Sequence, residues 1–470
     1  MNPNQLSRIV LYGFKSIREC DIELKALNVL IGPNGAGKSN FIGFFRLIQQ
    51  MLEGNLQRYV SKQGGPDALL HFGRKKTEQL RTELYFGTNG YKFTLEPTRD
   101  NRMMFADETL FWNLSGDKSV GSGHFESLAG THQSLIKQYS VPVMKSWRLY
   151  HFHDTSDSSL VKQRHGIHDN IYLRPDARNL AAFLYLLQSQ YPVHYQRIVK
   201  TVRLVAPFFG DFFLRPQTDN TDQIELEWME KGEDVPFKAH VLSDGTLRFI
   251  CLATVLMQPE EFQPETILID EPELGLHPFA IHLLAAMLRS ASKRRQLIVS
   301  TQSTDLLNEF DADDIIVADR TEGYTCLHRL DSLALKNWLD EYSLGELWQK
   351  NILDIVGLLR VEDITAYIRK TGWKKTDHLN PSLLVYQYER NDDYNKEIKL
   401  VLPNGNDYSD SVDKIKSVLK LIAALEQVSI SDIVRKIKNS AQNINTEELI
   451  RAVTESQETA IIGKSNTLKS

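Results

Sequence analysis

The sequence predicts an α/β chain: a mixed sheet with flanking helices, interrupted by a helical and β insertion and followed by a small α+β appendage. Three stretches predict it. Leu27-Asn28-Val29-Leu30-Ile31 is a mostly apolar run that reads as a buried parallel strand, and it leads straight into Gly32-Pro33-Asn34-Gly35-Ala36-Gly37-Lys38-Ser39. Thr266-Ile267-Leu268-Ile269 reads as a second buried strand, and it ends in two adjacent acids, Asp270 and Glu271. Gln296-Leu297-Ile298-Val299-Ser300 is a third, ending in Thr301-Gln302-Ser303.

Bulk properties set the limits. A chain of 470 residues holds roughly two to four domains. A hydrophobic fraction of 42% and a charged fraction of 24% are those of a globular protein able to bury large cores. A net charge of -5 gives no global electrostatic case for nucleic-acid binding and leaves only local basic patches. Cys20, Cys251 and Cys326 are scattered and odd in number, without a disulfide or zinc pattern. The opening residues carry no signal-peptide apolar region and no apolar run is long enough to span a bilayer, so the expectation is a cytoplasmic protein away from the membrane.

Taken in order, Leu6 to Leu24 reads as two strands, with Ile9 and Leu11 and then Cys20, Ile22 and Leu24 alternating among polar residues. Gly13-Phe14-Lys15-Ser16 makes the turn. The octapeptide after Leu27 to Ile31 fits GxxxxGK[ST]. Its glycines let the backbone curl so that several N–H groups face one anion. Lys38 supplies a point charge for the β- and γ-phosphates, and Ser39 a hydroxyl for Mg²⁺. The helix through Phe41 to Ile48 points its positive end at the same place. A glycine-rich turn would give part of this pattern; strand, loop, Lys, Ser and helix in sequence favour a phosphate site, with Asn40 at its edge.

From Gln49 to about His240 the chain is a long insertion. Leu84, Phe86, Tyr91, Phe93 and Leu95 alternate around Gly87-Thr88-Asn89-Gly90, a hairpin signal. Gly116 to Gly130 is Gly/Ser/Asp-rich and reads as a mobile loop. Leu180–Gln188 and Tyr195–Leu204 read as helices. No sustained heptad is present, which argues against a long coiled-coil arm. His151 and His153 share a strand face and, with Asp154, His165 and His168, are weighed as a metal site; the plainer reading is a strand edge near the nucleotide pocket. Arg74-Lys75-Lys76 and Arg197, Lys200 and Arg203 are candidates for a DNA backbone, against the plainer reading of solvated faces.

Leu242-Ser243-Asp244-Gly245-Thr246 precedes a helix from Leu247 to Met257. A serine and a glycine amide at a helix start make a second phosphate receptor. In the acid-ended strand, Asp270 is placed for a Mg²⁺ shell and Glu271 for the attacking water. Pro272 to Pro278 follows, and Ile315 to Asp319 adds another strand.

RIVLYGFKSIRECDIELKALNVLIGPNGAGKSNFI resembles the start of RecF/SMC-type ABC ATPases, where FKS lies just before the phosphate loop. LSDGT resembles the ABC signature, and EPELGLHP the D-loop region of that branch. The four elements run in ABC order over residues 1 to about 350. The resemblance therefore implies a P-loop NTPase of ABC-ATPase type in the RecF-like predicted-ATPase group, hydrolysing ATP with Mg²⁺. It implies Asp270 and Ser39 at the metal, Glu271, Lys38 and Gln302 as catalytic residues, and Ser243, Asp244 and Gly245 closing over nucleotide bound to a second copy. ATP then holds a head-to-tail homodimer. Gln302 stands where the family usually has histidine; it can still donate a hydrogen bond to the γ-phosphate. Gln63 is the candidate for the metal-sensing glutamine, and Tyr12 or Phe14 for stacking on adenine, with core packing as the plainer role.

The expected domains are a head over 1–355 with its insertion at about 50–240, a small α+β domain over 359–440, and a polar tail over 441–470. In the second domain Asp363–Arg369, Asp413–Leu425 and Ile430–Ile437 read as helices, and Ser382–Tyr388 and Glu397–Leu402 as strands. Glu389, Asp392 and Asp393 fall in a turn-like stretch and read as a solvated loop rather than a nuclease metal site. The function expected is DNA repair or recombination, or anti-phage defence, with DNA and a nuclease or other effector as partners. The alternative is the motor subunit of a membrane transporter; the FKS opening, the LSDGT form and the large insertion argue against it.

Overall fold

The computed structural model describes residues 5–112, 116–132, 137–321, 323–339, 342–349, 361–376, 380–381, 383–389, 397–403, 411–428, 433 and 436–437. The chain forms two compact units, Met1–Ser332 with Ser343–Glu346, and Leu333–Tyr342 with Leu347–Ser470.

The first unit opens with the hairpin β1 (Arg8–Phe14) and β2 (Ile17–Glu23), followed by β3 (Leu27–Ile31) and α1 (Lys38–Leu52). All five residues of β3 are buried, as its apolar run requires. Its one polar member, Asn28, is satisfied: Nδ2 donates to Lys25 O at 2.7 Å and Leu297 O at 3.0 Å. After α2 (Leu56–Gln63) come β4 (Leu80–Phe86), β5 (Asn89–Pro97), β6 (Met103–Trp112) and β7 (Gly116–Gly121). These complete an antiparallel sheet of order β2-β1-β4-β5-β6-β7.

Two local expectations need correction here. The hairpin loop is Gly87-Thr88, because Phe86 pairs with Asn89 and Leu84 with Tyr91; Asn89 and Gly90 lie inside β5. The stretch expected as a mobile loop begins with strand β7, whose backbone pairs with β6 although its first four residues are exposed. Ladder bonds hold that edge, with Val120 packed against the core.

The second sheet contains β3, the three-residue β8 (Arg148–Tyr150), β9 (Thr266–Asp270), β10 (Gln296–Thr301), β11 (Ile315–Thr321) and β12 (Tyr324–Arg329). Its order is β12-β11-β3-β10-β9-β8, with every pairing parallel except β11 with β12. The long insertion thus lends four strands to one sheet and an edge strand to the other. Its helices α3 (Leu180–Gln190) and α4 (Pro192–Val205) precede α5 (Asp244–Met257) and α6 (Pro278–Ser292). The longest described helices have 15 and 16 residues, in keeping with the absence of heptads.

Helix α1 buries Phe41, Ile42, Phe44, Phe45, Leu47, Ile48, Met51 and Leu52. That is more than one stripe, since it packs in a core shared with both sheets. Phe14 is in this core, edge-on to Phe44 at 5.8 Å, so core packing is its role. Trp147 is fully buried, 4.9 Å from the Phe45 ring. Trp147→Ala is expected to cost about 3–5 kcal/mol, read from denaturant unfolding of the full chain.

The second unit contains α7 (Val361–Lys370), β13 (Lys374–Thr376), β14 (Leu383–Glu389), β15 (Glu397–Pro403) and α8 (Ser411–Glu426). Its strands form an antiparallel sheet in sequence order, over a core that includes Ile364, Ile368, Trp373, Leu400, Leu402, Leu419 and Ile422. The α+β expectation holds for the described residues. The helix expected over 430–437 lies largely outside them, as do Asp392, Asp393 and the tail.

Candidate active site

Parallel strands deliver their carboxyl ends to one edge of a sheet, where open α/β folds bind ligands. In the second sheet four such ends meet: β3 enters the phosphate loop, β9 ends at Asp270, β10 at Thr301, and β8 at Tyr150 just before His151.

The loop is shaped by two close approaches. A Cβ on Gly37, where φ is +108°, would lie 2.0 Å from Thr325 Oγ1. A Cβ on Gly32 would lie 2.3 Å from Ala318 O. Thr325 Oγ1 donates to Ala36 O at 2.8 Å, so β12 braces the loop from behind. Pro33, Asn34 and Gly35 are exposed, as is Ser39. Helix α1 starts at Lys38 with Gly37 as its N-cap and no side-chain cap, leaving its first amides available to an anion. Asn40 turns away and donates to Ser16 Oγ at 2.6 Å, tying the loop to the β1–β2 turn.

Lys38 is 5% exposed, and its Nζ donates to Gly32 O at 2.6 Å and Pro33 O at 3.3 Å. Burial pushes its pKa down, while Glu271, Asp270 and Glu273 pull it up. The cation therefore sits inside its own loop, close to three acids.

Asp270 accepts a hydrogen bond from Ser300 Oγ, and its Oδ2 lies 3.6 Å from His151 Nδ1. Burial raises its pKa, but the bonds from His151 and Ser300 hold it below its ordinary value, so the carboxylate is charged. Glu271 has φ +46°, a left-handed backbone that is costly for a residue with a side chain. Its N–H donates to Ser300 O at 2.9 Å, and Gln302 Nε2 donates to its Oε1. The structure thus brings Lys38, Asp270, Glu271 and Gln302 together.

Residues not singled out from the sequence complete the site. Glu273 is 9% exposed; its Oε1 accepts from Thr301 Oγ1 at 2.6 Å and from Gln302 N at 3.2 Å. It anchors the segment that carries Gln302, and burial raises its pKa. Ser300 and Thr325 have the roles given above. Their only sequence signal is position, at or beside strand ends.

The histidines sort in favour of the plainer reading. His153 Nε2 donates to Asp270 O at 3.1 Å, and its ring lies 3.8 Å from that of His151. His165 Nε2 contacts Leu160 O instead. Among the described residues, no cluster of three His, Cys, Asp or Glu could hold a metal, so the His151–His168 metal site is not supported. His151 and His153 follow a strand edge at the pocket. Gln63 accepts from Lys15 Nζ at 3.0 Å.

Ser243 caps α5, its Oγ accepting from Thr246 N at 3.2 Å. Ser243 and Asp244 are exposed. A Cβ on Gly245 would lie 2.4 Å from Gly275 O. The signature stretch is thus packed on the 272–278 turn of its own chain, and its contacts among the described residues do not include the phosphate loop.

A family model described as "AAA domain, putative AbiEii toxin, Type IV TA system" matches residues 27–308. No curated protein matches the chain. Among solved structures, the chain is similar to an SmcHead bound to the C-winged helix domain of ScpA, at 16% identity and TM-score 0.48, covering 69% of this chain and 98% of that one. It is similar to the SMC head domain from Thermotoga maritima at 14% identity and TM-score 0.38, covering 70% and 99%. A Smc head domain with an extended coiled coil, bound to the C-terminal domain of ScpA derived from Pyrococcus furiosus, gives 14% identity, TM-score 0.44, and 72% and 98% coverage.

Proposed function

Because the chain belongs to the family described as AAA domain, putative AbiEii toxin, we propose that it binds and hydrolyses ATP as a RecF/SMC-type ABC ATPase, in a head-to-tail homodimer closed by nucleotide. The observation that carries this reading is the meeting of Lys38, Asp270, Glu271 and Gln302 at one sheet edge.

Each residue has a task. Lys38 and the loop amides of residues 32–39 hold the β- and γ-phosphates. Asp270 and Ser39 offer the hard oxygen donors that suit Mg²⁺, and the charged state of Asp270 fits a divalent cation. When bound, Mg²⁺ supplies charge neutralisation on the phosphate oxygens. Glu271 aligns the attacking water and takes its proton, and Gln302 fixes the Glu271 carboxylate. Ser243, Asp244 and Gly245 are exposed or half-exposed on the same chain, which suits a half-site lent to a partner copy.

Mixing tests this arrangement. A Lys38→Ala chain and a Ser243→Arg chain should each be inactive alone, and the mixture should regain at most one working site per dimer. Normal hydrolysis by either variant as a demonstrated monomer would contradict it. Gly245→Ala places a methyl against backbone and should lower turnover about 10²-fold, as misplacing a contact by an ångström can. Calorimetry should show ATP binding retained.

The pathway we infer is DNA repair or recombination, or anti-phage defence, with a nuclease or other effector as partner. Arg74 is engaged by Asp67, Thr98 O and Asn101, which leaves Lys75 and Lys76 as the exposed pair for a DNA backbone. Arg197 and Lys200 line an open cavity on α4, and Arg203 donates to Gly210 O. Stimulation of hydrolysis by DNA tests this part. No helix among the described residues is long and apolar enough to cross a membrane.

A further inference from the structure

The second unit lies outside residues 27–308, which the family model matches, and it carries a cavity of its own. Helix α7 ends there in a glycine turn. Gly372 has φ +92°, the left-handed conformation that glycine adopts without a Cβ penalty. Gly372 N donates to Arg369 O at 3.5 Å and Trp373 N to Ile368 O at 3.1 Å, which closes the last turn of the helix. The turn brings Thr371 and Trp373 to a cavity of about 550 Å³, which Tyr367, Tyr388, Glu426 and Lys436 also line.

The lining divides by chemistry. Trp373, 6% exposed, and the half-buried Tyr388 make an aromatic wall, with ring centroids 5.1 Å apart and planes at 36°. Glu426, the last residue of α8, is held on both oxygens: Oε1 accepts from the Tyr367 hydroxyl at 2.7 Å and Oε2 from Lys436 Nζ at 2.6 Å. Lys436 thus answers the charge of the carboxylate.

Positive charge is concentrated on the same turn. Residues 369–375 read Arg-Lys-Thr-Gly-Trp-Lys-Lys, four cations in seven positions without an acid. Arg369, Lys370, Lys374 and Lys375 are all exposed. Lys370 and Lys374 directly flank the cavity residues Thr371 and Trp373 in the chain. That run repels a cationic ligand, and an uncharged apolar one makes no use of it. An anion that carries a flat aromatic group uses both the wall and the charge. A mononucleotide brings its phosphate to one place, whereas a strand offers one phosphate per base to a row of cations.

We propose that the second unit binds a single-stranded nucleic acid, with one base stacked in the cavity against Trp373 and Tyr388 and the flanking phosphates on Arg369, Lys370, Lys374 and Lys375. Every base has a π-face, so the site takes strands of differing sequence. It is separate from the Lys75–Lys76 pair of the head, and it requires no ATP.

The test is fluorescence anisotropy of a labelled oligo-dT strand with the full chain, without ATP or Mg²⁺. Every chain used carries Lys75→Gln and Lys76→Gln, which removes the candidate contacts of the head. This parent should bind the strand, and should bind a duplex of the same length more weakly. Tyr388→Leu keeps an apolar side chain but not the ring; affinity should fall about fivefold or more at an unchanged salt slope, as loss of one stacked base does. Lys374→Gln with Lys375→Gln should flatten the slope of log affinity against log salt by about 1.4, about 0.7 for each phosphate contact. A parent that does not bind, or that prefers the duplex, overturns the proposal. So does parent-like affinity in Tyr388→Leu, or an unchanged slope in the lysine pair. Displacement of the strand by thymidine monophosphate as effectively as by unlabelled strand would make this a mononucleotide site, and the same result with polyglutamate would make it a surface for an acidic protein; either overturns it. If Tyr388→Leu loses the fold, read by circular dichroism, the lysine pair decides alone, since both of its side chains are exposed.

Discussion

A Glu271→Gln chain is expected to bind Mg–ATP like the parent and to hydrolyse it about 10²- to 10⁴-fold more slowly, the usual contribution of a general base or positioning group. Strand β9 ends at Asp270 and Glu271 lies just beyond it, so the two carboxylates serve different partners. Asp270 faces Ser300 and His151, and its charge is stabilised there. The backbone of Glu271 leaves the strand in a left-handed conformation, φ +46°, which re-aims the carboxylate towards Gln302. That conformation is retained although it costs energy, and the Glu271 N–H bond to Ser300 O helps to hold it. Phosphoryl transfer needs alignment more than covalent help. Glutamine keeps the length but loses the charge that draws the proton from water. Asp270→Asn should act differently and weaken metal binding. Single-turnover hydrolysis beside equilibrium binding separates the two outcomes. Parent-like turnover by Glu271→Gln would move the water-positioning role to Gln302.

Lys38→Ala is expected to weaken ATP binding by about 100-fold, since a hydrogen bond to a charged group contributes up to about 3 kcal/mol. The neighbours explain why the loss is large. Burial holds the Lys38 pKa below its ordinary value, and Glu271, Asp270 and Glu273 partly offset that, so removing the lysine leaves three acids facing an anionic ligand. The fold should survive, because Nζ bonds only to loop carbonyls of residues 32 and 33 in this state. A parent-like melting temperature with no calorimetric binding is the expected pair of results. Unchanged affinity would remove the phosphate-loop assignment.

Much of this site was legible because its signals are local. The β3–loop–α1 unit is contiguous, and its glycines are required by close approaches that a Cβ would block. The acid-ended strand and the Gln302 strand were legible because buried parallel strands are written as apolar runs. Long-range placement was not legible. His153 meets Asp270 across 117 positions, through a three-residue edge strand too short to give a periodic signal. Glu273 has no signal of its own within Pro272 to Pro278; its role comes from contacts with Thr301 and Gln302. Strand β7 was read as a loop because its composition is polar and its stabilising bonds are backbone to β6. Arg74 looked like part of a basic run, but Asp67 and Asn101 hold it in place.

The central claim is that two copies complete each other's sites around ATP. Light scattering on Glu271→Gln with Mg–ATP tests it most directly, because slow turnover preserves the closed state. The account predicts the mass of one chain without nucleotide, two chains with Mg–ATP, and one chain again when Ser243→Arg is added to the same protein. A mass that stays at one chain at saturating Mg–ATP would contradict it.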